Sequence, residues 1–309
     1  MVTLVRAPNA SAMTLSGTNS YVLDCGRGTA LVIDPGPAIA SHLAAIVAAA
    51  QSRDLAIRAI ALTHGHPDHA LGSPGLAART GAPVYAHPAC RAPHDRDLPL
   101  EDDLLVGVTA LRVADAPGHT FDHVVLYLPR ERALFTGDTI LGEGTAVIAP
   151  PGGALRPYEK TLQRLARDFA DAESIYPGHG PRVADAQTKI AEYVQHRRMR
   201  EEQIVRALRD GPATIPRIVR NVYGPARSVL WPAMARQVLA HLIALEEERR
   251  VAARPLDRAM QPDEAAMLNP RIEEILAPGE AAVAIAELGT EMRLERLYEY
   301  RLLEERDAS

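Results

Sequence analysis

Apolar positions over the first 180 residues alternate between short runs and helically spaced stripes. Tyr21-Val-Leu23 and Ala30-Leu-Val-Ile33, parted by Gly26-Arg-Gly28, predict a hairpin within a stretch, 12 to 36, that holds two or three strands. Asp34-Pro-Gly-Pro37 breaks its second strand. Ile39, Leu43, Ile46, Val47 and Ala50 recur at helical spacing and predict an amphipathic helix over 38–52. A buried strand over 57–62, a short helix over 73–80 and a strand at Pro83-Val-Tyr-Ala86 follow. Leu111-Arg-Val-Ala114 reads as another strand, and Val124 to Leu128 with Ala133 to Thr136 as a hairpin around Pro129-Arg-Glu-Arg132. Tyr158, Leu162, Leu165, Ala166 and Phe169 mark a helix ahead of the strand Ser174-Ile-Tyr176. Strands that alternate with amphipathic helices imply an α/β layered fold.

Beyond residue 188 the strand signals give way to helices. A long helix over about 185–208, a shorter one near Ile215 to Val222, and a third over 226–248 carrying Leu230, Met234, Val238, Leu242 and Leu245 resemble a helix-turn-helix core. Arg249-Arg-Val-Ala-Ala253 fits the first strand of a wing. Tyr298-Glu-Tyr-Arg-Leu302 fits either the returning strand or a terminal helix. Two domains are therefore expected, 1–188 and 189–309, the second winged-helix-like with an insertion near 254–292.

A chain of 309 residues accommodates one large and one small domain, and 47% apolar content excludes general disorder. Net charge of −5 gives no overall attraction to nucleic acid, so such binding requires a local basic patch. Arg197, Arg198, Arg200, Arg206, Arg209, Arg217, Arg220 and Arg227 supply a candidate patch in the small domain, with Arg217 and Arg220 the candidate substrate-binding pair. A solvated helix face explains arginines equally well, and stacking aromatics are scarce there, Tyr223 and Trp231 being the main candidates. Cys25 and Cys90 stand apart without a C-x-x-C pair, which favours free thiols and a cytoplasmic protein. No apolar run approaches the length of a membrane span, so no membrane partner is expected. The third helix is a candidate face for a homodimer.

The chemistry concentrates in Thr63-His-Gly-His-Pro-Asp-His69. Its imidazole and carboxylate donors suit zinc and its first-row neighbours. A loop at a strand end, bounded by Gly65 and Pro67, can converge such side chains on a point. Ala116-Pro-Gly-His119 and Tyr176-Pro-Gly-His179 repeat one device, in which a strand ends in a tight turn that leaves a histidine at its tip. Gly137-Asp138 ends a strand in a carboxylate able to bridge two cations. The assembled set is His64, His66 and His119 for one ion, Asp68, His69 and His179 for the other, with Asp138 between them. Two ions about 3.5–4 Å apart would generate a bridging hydroxide near neutral pH, and Asp68 would accept its proton. No nucleophilic side chain is then needed. Asp34 reads as a turn residue or as a carboxylate directed at the metal loop. His87 reads as structural or pocket-lining, His94 as solvated, and His123 as a packing or hydrogen-bonding residue. Leu141-Gly-Glu-Gly-Thr145 must lie near the bridging position.

This H-x-H-x-D-H run, followed in order by His, Asp and His across residues 12 to 185, resembles the metallo-β-lactamase superfamily. The resemblance implies an αββα sandwich, two divalent metal ions, zinc foremost, and hydrolysis. Gly17-Thr-Asn-Ser-Tyr21, Leu141-Gly-Glu-Gly-Thr145 and the helical carboxy-terminal region are similar to the beta-lactamase-like protein 2 group, whose animal members are endoribonucleases on single-stranded RNA. That group usually lacks a segment corresponding to 254–292. A phosphodiester such as single-stranded RNA is the leading expectation, and an acyl substrate, a lactone or thioester, the alternative. Exported β-lactamases do not use a bridging aspartate. The Gly180-Pro-Arg182 that follows His179 departs from the glyoxalase II signature.

Overall fold

A computed structural model of the chain describes residues 1–224, 230–269, 281, 285 and 297–303. Two sheets pack face to face. The first has six strands in the order β1 (Val2–Arg6), β2 (Asn19–Asp24), β3 (Thr29–Ile33), β4 (Ala56–Ala61), β5 (Val84–Ala86) and β6 (Arg96–Asp97). The second runs β11 (Ser174–Pro177), β10 (Ala133–Gly137), β9 (Val124–Leu128), β8 (Thr109–Asp115) and β7 (Asp103–Val106). Successive side chains of a strand point to opposite faces, and the cores divide accordingly. Tyr21, Leu23, Leu31 and Ile33 meet Leu111, Val113, Leu126 and Phe135 between the sheets. Val22, Ala30, Val32 and Ile60 turn outward against α1 (Ala40–Gln51) and α3 (Ser73–Thr80) through Leu43, Ile46 and Leu76. On the far side Val125, Leu134 and Ile175 pack on α4 (Leu155–Asp168) and α5 (Ala186–Arg209) through Tyr158, Leu162, Ile190 and Tyr193. The layering is αββα. One further turn, α2 (Pro67–Ala70), precedes α3.

Helix α5 leaves this sandwich and enters a second core, to which it gives Ile204 and Leu208. There it packs with α6 (Ile215–Tyr223), α7 (Trp231–Glu247) and α8 (Pro262–Leu268). A small sheet in the order β12 (Ala213–Thr214), β14 (Tyr298–Leu302), β13 (Val251–Pro255) completes the wing, with β13 and β14 antiparallel from Val251↔Leu302 to Pro255↔Tyr298. Residues 298–302 are thus the returning strand. Arg227, the start of the third helix as expected at 226, and most of 254–292 lie outside the described residues. Strand β1 went unrecognised in the sequence because it is a short edge strand, half exposed along its length, with a weak alternation.

Candidate metal centre

Strands β8 and β10 are each antiparallel to β9, and β10 is parallel to β11, so β8, β10 and β11 all run the same way. Their carboxyl ends therefore open on one rim, where the loop after β4 arrives from the other sheet. His119, Asp138 and His179 follow these three strands; His64 and His66 lie in the loop, and Asp68 and His69 on α2. The two Pro-Gly-His turns need their glycines for space. A Cβ at Gly118, whose φ is +144°, would fall 2.3 Å from the Tyr158 Cα, and one at Gly178 would fall 2.3 Å from Asp138 Oδ1. No other residue lets the backbone come so close to α4 or to the Asp138 carboxylate.

The side chains form two adjoining groups. His66 Nδ1 lies 3.0 Å from His64 Nε2 and 3.2 Å from His119 Nε2. His179 Nε2 lies 3.3 Å from His69 Nε2 and 3.2 Å from Asp68 Oδ2. Asp138 reaches into both, with Oδ1 3.5 Å from His69 Nε2 and Oδ2 3.3 Å from His179 Nε2 and 3.9 Å from His119 Nε2. Tetrahedral coordination at about 2.0–2.1 Å places neighbouring donors about 3.3 Å apart, so these separations suit an ion of zinc's size. Asp138 Oδ1 is buried without a hydrogen-bond partner among the described residues, an acceptor that a cation would satisfy. The donor set fits two divalent ions.

Surrounding groups aim the rings. Asp34 Oδ2 stands 2.9 Å from His69 Nδ1 and is fixed by Thr63, whose N–H and hydroxyl each donate to the carboxylate at 2.7 Å. His119 Nδ1 is 2.9 Å from the Val147 carbonyl. Outer partners of this kind set the tautomer and direct the other nitrogen inward. Asp34 is therefore both turn and support, with φ of +51°. His123 accepts from the Asp138 N–H at 3.1 Å and stacks on His64 with ring centres 4.7 Å apart, the hydrogen-bonding role expected of it. His87 caps its own turn by accepting from the Ala89 N–H. His94 is not solvated as expected: it is half buried, 3.3 Å from Asp97 and 2.9 Å from the Ala92 carbonyl.

Charge is balanced within the cluster. Burial lowers His64 well below its ordinary value, with His69 and His66 adding to it. Burial also acts against a charged His69, but the Asp68, Asp138 and Asp34 carboxylates overcome it and raise that ring well above its ordinary value. His179 is likewise raised, to about 10, since Asp138 and Asp68 outweigh its burial. Asp138 resists its own burial and stays well below the usual carboxylate range because His179 and His69 face it. The centre can exchange these protons for cations, as metal binding to deprotonated ligands requires.

A cleft of about 330 Å³ rises from His119 and Asp138. Its walls are Ala12, Met13 and Leu15 of the amino-terminal loop, Leu141 and Glu143 to Val147, and Tyr223, Leu230, Ala233, Met234 and Gln237 from the second core. Leu141-Gly-Glu-Gly-Thr145 thus lies beside Asp138. Arg217 and Arg220 are not brought here. Both are exposed on α6, Arg220 pairs with Asp263, and among the described residues neither lines the cleft. Nor do the described arginines form one row. Arg197 is 1% exposed and donates to Gln237 and to the Ala146 carbonyl, while Arg200 lies over the Tyr223 ring at 4.1 Å. Trp231 packs against the second core. Thr18, which donates to Asp68 at 3.0 Å, went unassigned in the sequence, where only its place in Gly17-Thr-Asn-Ser-Tyr21 marked it.

Residues 13–179 match the metallo-beta-lactamase superfamily, and residues 214–256 match the beta-lactamase associated winged helix domain. The chain belongs to the metallo-beta-lactamase superfamily, a family of metal-dependent hydrolases, and carries that winged-helix domain behind the catalytic fold. It is 35% identical over 221 residues to a beta-lactamase-like protein 2 homolog of Caenorhabditis elegans, covering 68% of this chain and 71% of that protein. A homolog of the same name from Drosophila melanogaster is 34% identical over 273 residues, covering 79% of this chain and 87% of its own. Among solved structures, a metallo-beta-lactamase family protein from Thermus thermophilus superposes with a TM-score of 0.68 at 25% identity, over 82% of this chain and 95% of that one.

Proposed function

We propose that this chain is a dinuclear metal-dependent hydrolase of esters, thioesters or lactones that carry an apolar acyl group. The carrying observation is the cleft, whose walls above His119 and Asp138 are mostly alanine, leucine, valine and methionine. Apolar walls favour an acyl chain or ring, whereas an extended polyanion calls for guanidinium groups beside the reacting atoms. In this reading His64, His66 and His119 hold one ion, Asp68, His69 and His179 the second, and Asp138 both. Two divalent ions, zinc by the donor set, supply Lewis acidity and an acidified water when bound. Asp68 takes up the proton at Oδ1, its unpartnered oxygen. The walls exclude bulk water and orient the carbonyl, with residues 1–188 carrying the chemistry and Tyr223, Leu230, Ala233, Met234 and Gln237 closing the cleft from one side. Two buried free thiols, Cys25 and Cys90, favour a cytoplasmic location, and no helix among the described residues is long and apolar enough to cross a membrane.

Single-stranded RNA is the second reading, favoured by the match to a winged-helix domain and by the exposed Arg217. A panel on the zinc-loaded protein separates the two: thioesters, lactones, bis-p-nitrophenyl phosphate and RNA. The acyl reading expects turnover of the thioester or lactone, and a charge placed in the wall by Met234→Lys should lower kcat/KM on apolar acyl substrates by about tenfold or more. Cleavage of RNA without acyl turnover overturns it. In that event Arg217→Ala with Arg220→Ala should weaken cleavage of long strands and spare the small phosphodiester.

A further inference from the structure

We propose that Thr18, locked by Asn9, is the positioning residue for Asp68, so that the amino-terminal loop forms part of the second metal site. The inference rests on the dinuclear reading above. Asn9 Oδ1 accepts from the Thr18 N–H at 2.9 Å, which fixes the amide and leaves Nδ2 as the donor. That Nδ2 donates to Thr18 Oγ1 at 2.9 Å. The hydroxyl thereby accepts one hydrogen bond and donates its own to Asp68 Oδ2 at 3.0 Å. Each donor and acceptor in the chain Asn9–Thr18–Asp68 is thus assigned by its neighbour, and the chain runs one way. Thr18 and Asp68 are fully buried, so no solvent competes.

Asp68 needs such a hold. It sits on α2, a single turn of four residues without a side-chain cap, which does little to fix the plane of a carboxylate. Thr18 ties down Oδ2 and leaves Oδ1 unpartnered. The segment bearing Thr18 is itself anchored to the far side of the same site. Asn19 N–H donates to the Gly178 carbonyl at 2.7 Å, and Thr18 bridges to His179 as an isolated strand pair. Ala7 N–H donates back to the Thr18 carbonyl at 2.8 Å and closes the loop. Met13 and Leu15 on this loop wall the cleft, so the element that touches substrate is latched to a metal ligand.

The test compares Thr18→Val, which keeps shape and removes the hydroxyl, with Thr18→Ser, which restores it, and with Asn9→Ala. Zinc affinity is measured on each by chelator competition, with circular dichroism and melting as controls for folding. Thr18→Val should weaken zinc binding at the site formed by Asp68, His69 and His179 about 10- to 100-fold, the usual effect of losing an outer-shell partner, and Asn9→Ala by less. Thr18→Ser should return the affinity to within about threefold of wild type, since the hydroxyl that supports the ligand is back. On the turned-over substrate, Thr18→Val should lower kcat more than it raises KM. Wild-type zinc affinity in Thr18→Val, or equal weakening in Thr18→Ser, overturns the positioning role while the dinuclear reading stands. A wild-type protein that binds fewer than two zinc ions overturns both.

Discussion

Gly178→Ala is the most direct test of how closely the backbone cradles the Asp138 carboxylate. Gly178 is buried between β11 and His179, and its φ lies outside the left-handed region, so alanine brings no backbone strain. The effect is steric alone. The added methyl would lie 2.3 Å from Asp138 Oδ1 and 2.7 Å from His69 Cε1, whereas ordinary contact begins at 3.4 Å. The carboxylate oxygen must therefore retreat by about 1 Å, and misplacement on that scale costs about 100-fold in rate. At 1.36 kcal/mol per decade this is about 2.7 kcal/mol of transition-state stabilisation. Because Asp138 and His69 belong to the same cluster, zinc content at a fixed free-zinc level should fall along with kcat. The assay pairs elemental analysis with turnover, using Gly152→Ala as control, where a Cβ meets only Ala149 O at 3.7 Å. A Gly178→Ala protein with wild-type zinc content and kcat would refute the cradle and the bridging role built on it.

If Asp138 is shared by two ions as proposed, Asp138→Ala should reduce zinc occupancy below two and abolish hydrolysis, read by elemental analysis and turnover. Acid should destabilise the second core's junction with the sandwich. Burial, with Arg197 and Arg200 beside it, holds His196 down at about 4, and burial, then Arg197 and Arg156, hold His241 well below its ordinary value. Both rings protonate in the unfolded chain below about pH 6.5 while the native protein keeps them neutral, so stability should fall as pH drops from 6.5 towards 4. His241→Leu should flatten that limb and raise the melting temperature, since both ring nitrogens lack hydrogen-bond partners among the described residues. Melting curves across that pH range decide it, and an unchanged limb would exclude His241 as a source.

The sequence by itself determined the layered order of strands and helices, because period 2 and period 3.6 record directly which face of an element is buried. It also marked the seven candidate ligands, since Gly or Pro beside all of them but His69 announces a strand end or turn where side chains can converge. Tertiary structure decided everything that joins distant positions. Asp34 supports His69 across 35 residues and Thr18 supports Asp68 across 50, and no local period encodes either pair. The cleft draws its walls from residues 12–15, 141–147 and 230–234, three stretches that look like ordinary loop and helix until the fold sets them together. The arginines of α5 and α6 looked alike in the sequence, yet Arg197 is buried against Gln237 and Ala146, Arg200 covers Tyr223, and Arg217 faces solvent. A residue's type fixes which interactions it can make. Which of them it does make depends on the neighbours that folding brings within reach.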